Sequence, residues 1–386
     1  MPERLPVYLD YAATTPVDPR VAERVTAHLT PDGVFGNPAS RSHIFGWDAE
    51  EAVEQARVEV ASLLACDPRE VVWTSGATES DNLAIQGVAL AAEARGRHLV
   101  TCTIEHKAVI DTCRWLEGRG WEVSWLEPGT DGRVAPEQVA AVLRDDTVLV
   151  SLMLVNNELG VITDIAGIAE LLKDHQALLH VDAAQALGKI PVSPSALGVD
   201  LMAFSGHKLY APKGIGVLYV RNAPEVTVQA LMHGGGHERG FRSGTLPTHQ
   251  IVGMGAACAV AEAELAEEGP RIARLRDRFL DGVSNLGGIH LNGHAQARIP
   301  GIVNLAFEGV DGEALLMALA PDIACSSGSA CNSAFVEPSF VLRGIGLDDT
   351  LAQASLRFSF GRFTTEAEVD QALDRVVETV SRLRRA

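Results

Sequence analysis

At 386 residues with 47% hydrophobic side chains, the chain is longer than one compact core usually serves, which predicts a large and a small domain folding together. Fifty acidic residues against 32 Lys and Arg leave a formal charge of -18, and no basic run forms the footprint of direct nucleic-acid contact. Met1 to Thr15 lacks a secretory signal, no apolar run could cross a bilayer, and the six cysteines follow neither a disulfide framework nor C-x-x-C zinc spacing, so a cytoplasmic protein with no membrane or metal partner is expected.

The opening VYLDYAATTP reads as an extended segment that packs with the smaller domain. From Val71 onward, short apolar runs alternate with helical patterns. VVW leads into TSGATESD and the helical NLAIQGVALAAEA, and HLVTCTI precedes EHKAVIDTCRWLEG. VLVSLMLV precedes NNELG, ALLHVD precedes AAQALGKI, and DLMAFS precedes GHKLYAPKGIGVLYV. Strands that read as nearly continuous apolar runs between helices imply a mostly parallel sheet covered on both faces. This large α/β domain is expected over residues 15–262. The region from Gln250 to Leu286 reads as long helix, interrupted at Gly269 and Pro270. HLNG, GIVNLAF, IACSSG and SLRFSFG then give shorter strand signals, so residues 1–14 and 263–386 are assigned to a small α+β domain.

In a parallel sheet, ligands gather beyond the carboxyl ends of the strands, so the residues just after each run are the ones to question. SGATES places Gly76, Ala77 and Thr78 at a helix start, either an anion site or an ordinary cap made by Ser75 or Thr78. Lys208 follows an apolar run and is either a solvated loop residue or an amine held in a cleft, with Ser205 and His207 able to bond a phosphate. Asp182, ending LLHVD, needs a cationic partner if buried, such as a protonated pyridine nitrogen; capping the next helix is the plainer role. Gln185 lies three residues on. His106 could stack on an aromatic ligand and Asn157 donate to its substituents, although for each alone a structural hydrogen bond is the simpler reading. HGGGHERGFRSGT resembles an esterase oxyanion element, but no G-x-S-x-G elbow accompanies it, which disfavours a hydrolase. A phosphate site, an amine for a Schiff base, a carboxylate for a ring nitrogen and a ring for stacking together describe a pyridoxal phosphate pocket.

The blocks YLDYAATTPVDPRV, FGNPASRSH, TSGATESDNLAI, EHKAV, VNNELG, HVDAAQ, FSGHKLYAPKGIG, HGGGHERGFRSGT, SSGSAC and LRFSFGRFTTE carry a resemblance over nearly the whole chain. The sequence resembles the cysteine desulfurases of the IscS/NifS type, in the class V aminotransferase family of fold-type I pyridoxal phosphate enzymes. The resemblance implies that Lys208 bonds the cofactor, that Asp182 partners its ring nitrogen and that His106 stacks on it. It further implies that Ala77, Thr78, Ser205 and His207 hold the phosphate and that Asn157 and Gln185 bond the ring. Thr245 would reach the phosphate of a neighbouring subunit, making the enzyme a homodimer. Arg357 would grip the substrate carboxylate, with Asn157 beside it. Cys331 would accept sulfur from L-cysteine as a persulfide, yield L-alanine and pass the sulfur to an acceptor protein. Such acceptors serve iron–sulfur cluster assembly, tRNA thiolation or DNA phosphorothioation. The sequence departs from the family pattern at Leu154, where a histidine is often found, and at Asn332, where Thr is frequent. A pyridoxal phosphate lyase or aminotransferase that uses no cysteine is the alternative, and SSGSAC at the expected place disfavours it. Cys325, next to the apolar IA, is expected to be structural.

Overall fold

The computed structural model describes residues 5–327 and 338–385. In chain order the strands are β1 (Val7–Tyr8), β2 (Val71–Thr74), β3 (His98–Cys102), β4 (Glu122–Leu126), β5 (Thr147–Met153) and β6 (Leu178–Asp182). They continue with β7 (Leu201–Ser205), β8 (Gly216–Val220), β9 (Ile289–Leu291), β10 (Ile302–Phe307), β11 (Ile323–Ala324) and β12 (Ser355–Ser359). Seven of them form one sheet in the order β2-β8-β7-β6-β5-β3-β4, in which β8 alone runs antiparallel to its neighbours.

Every residue of β2, β3, β5, β6, β7 and β8 is buried, which explains why their sequences are nearly unbroken apolar runs rather than alternating ones. Alternate side chains still go to different cores. Val71 and Trp73 pack with Val53 and Val60 of the helix Ile44–Leu64 and with Ile251 and Met254 of the helix Thr248–Ser284. Val72 points the other way, onto Leu83, Ile85 and Val88 of the helix Ala77–Ala92. Each fully buried aliphatic side chain of this kind stabilises the fold by about 1.5–3 kcal/mol. At the sheet edge β4 opens with the exposed Glu122, a charge that discourages further strand pairing.

The expected helix break at Gly269 and Pro270 does not occur: one helix runs from Thr248 to Ser284 with Pro270 inside it. A proline there frees the carbonyl of Ala266, and both residues lie on the exposed side, where water can take that bond. Packing of Leu275 and Phe279 beyond the proline holds the continuation in place.

Those two residues belong to a third core built on the antiparallel β12-β10-β9 sheet, with Val303, Phe307 and Phe358, and on Val369, Val376 and Val380 of the helix Glu366–Leu383. Val7 and Leu9 lie in the same core, and β1 pairs in parallel with β11, Val7 opposite Ile323. Ala12, three residues after Leu9, lies instead in the first core beside the large sheet, so the opening segment is shared between the two. No helix among the described residues is long and apolar enough to cross a membrane.

Candidate active site

Because β2, β5, β6 and β7 run in one direction, their carboxyl ends share one edge of the sheet. β6 ends on Asp182 and β7 on Ser205, and Lys208 closes the single turn Gly206–Lys208 that follows. β8 begins at Gly216, which pairs with both Thr74 and Ser205 and so closes the gap between β2 and β7. A Cβ at Gly216 would come within 2.5 Å of the Gly76 Cα and of the Phe204 carbonyl, so only glycine permits this approach.

The opening segment covers the Lys208 turn. Lys208 Nζ donates to the carbonyls of Ala12 and Ala13, the latter at 2.7 Å. Thr15 donates through N and Oγ1 to the His207 carbonyl and accepts from Tyr210 N at 2.8 Å, and His207 Nδ1 lies 3.1 Å from Thr14 Oγ1. Burial, with the Arg357 charge adding to it, pulls the Lys208 ammonium down to about 8. About a tenth is therefore free amine at pH 7, far more than for an ordinary lysine. Burial likewise lowers His207 to about 4, so it is an uncharged ring.

The helix Ala77–Ala92 starts after Gly76, whose φ of +149° suits glycine, and no side chain caps it. Its first N–H groups, at Ala77 and Thr78, are left to an external acceptor. Ser205 Oγ stands 3.7 Å from where a Gly76 Cβ would lie, so a hydroxyl adjoins the cradle. Glu79 accepts from Ser75 N at 2.7 Å and pairs with Arg242 at 2.8 Å, which fixes the turn from outside.

Asp182 is buried and accepts one hydrogen bond, from Ala184 N at 2.9 Å. Burial pushes its carboxyl up, and the nearby His106 and Lys208 work against that shift. Behind it lies a layer of buried polar groups. Asp81, from the helix Ala77–Ala92, has neither oxygen hydrogen-bonded, and Glu105 Oε2 and His180 Nε2 are also unpartnered. His180 Nδ1 meets Ser151 Oγ at 2.8 Å, and Glu105 Oε1 accepts from Met153 N at 2.9 Å.

A buried acid that forms no ion pair among the described residues, an uncapped helix start and an amine of depressed pKa at one sheet edge fit a ligand with a basic ring nitrogen, a phosphate and a carbonyl carbon. Pyridoxal phosphate has all three.

The remaining candidates are distributed around this edge. His106 is exposed and caps the helix Lys107–Glu117, accepting from Ala108 N at 3.2 Å. Arg357, on β12, donates to the Asn157 carbonyl at 2.9 Å and to Asp10 at 2.8 Å, while its buried Nε has no partner. Gln185 donates to the Ala12 carbonyl at 2.8 Å. Thr245 is exposed, in a loop held by the buried pair Arg57–Glu238 at 2.9 Å and by Arg242–Glu79. Cys331 lies outside the described residues. Cys325 follows β11 and packs against the third core, and burial pushes its thiol up to about 12.

Sequence reasoning missed Asp10, Ala12, Asp81 and Lys189. Only Asp81 carried a usable signal, an acid on the apolar face of an otherwise ordinary helix pattern.

Residues 7–372 match the family described as Aminotransferase class-V. A cysteine desulfurase IscS of Pseudomonas putida strain W619 is 62% identical over 381 residues, 99% of this chain and 94% of that one. A solved NifS-like protein superposes with a TM-score of 0.91 at 37% identity, covering 98% of this chain and 100% of that chain. A structure described as SspA in complex with cysteine gives 0.81 at 36%, covering 93% and 99%.

Proposed function

Because the chain belongs to the aminotransferase class-V family and is a pyridoxal phosphate-dependent cysteine desulfurase, we propose that Lys208, Asp182, His106 and Cys331 carry the conversion of L-cysteine to L-alanine, with the sulfur retained on Cys331 as a persulfide. The observation that carries this assignment is the meeting of Lys208 and Asp182 at one sheet edge, the amine held by two carbonyls and the acid buried.

Ala77, Thr78, Ser205 and His207 would hold the cofactor phosphate, Asp182 the proton on the ring nitrogen and His106 the ring face, with Asn157 and Gln185 at its edge. When bound, pyridoxal phosphate supplies a sink for electrons released at the substrate Cα. Lys208 takes the Cα proton on Nζ and returns a proton to the carbon skeleton. Arg357 holds the substrate carboxylate, which competes with Asp10 for the guanidinium. The Cys331 thiolate attacks the substrate sulfur: the new S–S bond forms as the substrate carbon–sulfur bond breaks, and the carbon skeleton leaves as alanine. No external oxidant or reductant is required.

The sulfur then passes to an acceptor protein of iron–sulfur cluster assembly, tRNA thiolation or DNA phosphorothioation in the cytoplasm. A homodimer is part of the same reading, with Thr245 reaching the phosphate held by the other subunit. The exposed Leu29, Phe35, Ile44, Phe45 and Trp47 support it, since Phe35 and Phe45 already meet as tilted rings 5.4 Å apart and offer apolar area to a second copy. The same reading divides the chain into a large unit of residues 15–262 and a small unit of 1–14 and 263–386, with the site between them.

The test is product analysis with L-cysteine as sole substrate. Equal amounts of alanine and persulfide sulfur support the reading, whereas pyruvate and free sulfide would sink it in favour of a lyase, and 3-mercaptopyruvate in favour of an aminotransferase.

A further inference from the structure

Lys189 ends the turn that follows β6, and its Nζ donates to Gln185 Oε1 at 2.5 Å. A backbone carbonyl can only accept, so the Gln185 amide must turn its Nε2 toward Ala12, and its oxygen is left to accept from Lys189, whose amino group donates whether or not it is charged. Its oxygen faces Lys189 and its Nε2 faces the Ala12 carbonyl, 2.8 Å away. That same carbonyl accepts from Lys208 Nζ. Four groups are therefore joined in one line from Lys189 through Gln185 and Ala12 to Lys208.

Lys189 is an expensive residue to keep here. Its one hydrogen bond is to a neutral amide, and no carboxylate pairs with it among the described residues. Burial, with the charges of Lys208 and Arg357, pulls its ammonium down to about 7. An apolar side chain would fill the place without that cost, so the amino group acts through what it orients.

We propose that Lys189 is a positioning residue that locks the Gln185 amide and, through the Ala12 carbonyl, places the amine of Lys208. The proposal rests on the reading of Lys208 as the residue that bonds the cofactor. It adds a group outside the cofactor pocket whose work is done by holding another side chain in a single orientation.

A double-mutant cycle on the holoenzyme tests it, with Lys189→Met and Gln185→Leu alone and together. The readout is the first-order loss of the visible absorption of bound pyridoxal phosphate after dilution into a cofactor scavenger. Each single change should accelerate that loss about tenfold, the consequence of one charge-assisted hydrogen bond. Together they should give no more than about tenfold, because Lys189 acts through Gln185. A product of about a hundredfold, or a Lys189→Met variant that loses cofactor at the wild-type rate, overturns the proposal. Lys189→Gln retains a donor without the charge and should stay within about threefold of wild type, so it carries the test if the methionine variant does not fold. For that variant, loss as fast as in Gln185→Leu overturns the proposal. A wild-type protein with no visible absorption would instead remove the assignment of Lys208 itself.

Discussion

His180 Nε2 faces Asp81 Oδ1 across 3.5 Å, between two side chains that are both wholly buried. Burial holds the His180 ring neutral, down to about 3, and together with the charges of Asp182 and Glu105 it raises the Asp81 carboxyl. Burial and the facing acids therefore favour the protonated form at Asp81, while only Asp182 has His106 and Lys208 beside it to favour the charged form. Asp81→Asn should be tolerated. A raised folded-state pKa means that the native protein binds the extra proton, so wild-type stability falls as pH rises from the ordinary carboxylate range toward the raised value. Asparagine lacks that dependence. The variant's advantage in thermal unfolding should be absent at acid pH and grow with pH to about 1–3 kcal/mol. A variant less stable than wild type at every pH would refute the assignment.

Lys208→Ala should yield a colourless protein whose alanine production falls by about 100- to 10,000-fold, the usual contribution of a positioned proton-transfer group. The change should leave the fold intact, because among the described residues Nζ bonds only the carbonyls of Ala12 and Ala13. Normal alanine production would end the cofactor assignment.

Arg357→Ala removes the donor proposed for the substrate carboxylate, a charge-assisted contact of about 1.5–3 kcal/mol. KM for cysteine should rise about 10- to 100-fold with a smaller change in kcat. The same substitution leaves Asp10 without its partner, so Asp10→Asn is the control. Equal KM effects from both would assign the defect to the opening segment rather than to substrate binding.

Cys331→Ser should bind cofactor and L-cysteine yet form no persulfide, whereas Cys325→Ser should retain most activity. At neutral pH a thiol raised to about 12 is almost wholly protonated and a poor nucleophile, and Cys325 is such a thiol. Alkylation after L-cysteine addition, followed by peptide mass analysis, locates the sulfur. Label on Cys325 would overturn the assignment.

The residues at the strand ends were legible because each follows an apolar run that only a buried strand explains. Asp182, Ser205 and Lys208 all sit at such junctions. The cover over Lys208 was not legible. It consists of backbone carbonyls at Ala12 and Ala13, which have no side-chain signature and lie 196 and 195 residues away in sequence. Lys189 was hidden for a different reason: in AAQALGKI a single lysine at a turn looks solvated, and only the fold places its ammonium on Gln185. Pro270 misled because local backbone preference was overruled by the packing of Leu275 and Phe279 beyond it.

The pairing of β1 with β11 has a bearing on how the protein is made. Asp10 emerges from the ribosome early, yet its partner Arg357 is 347 residues behind it, roughly 20–70 s at ordinary rates of synthesis. Val7 waits almost as long for Ile323. The seven-stranded sheet, complete by Val220, can assemble during that interval, but the anchors that β11 and β12 give the opening segment form only once those strands have been made. Until then this strap is held to the Lys208 turn by Thr14, Thr15 and Gln185, and the late strands add the second set of anchors that fixes it.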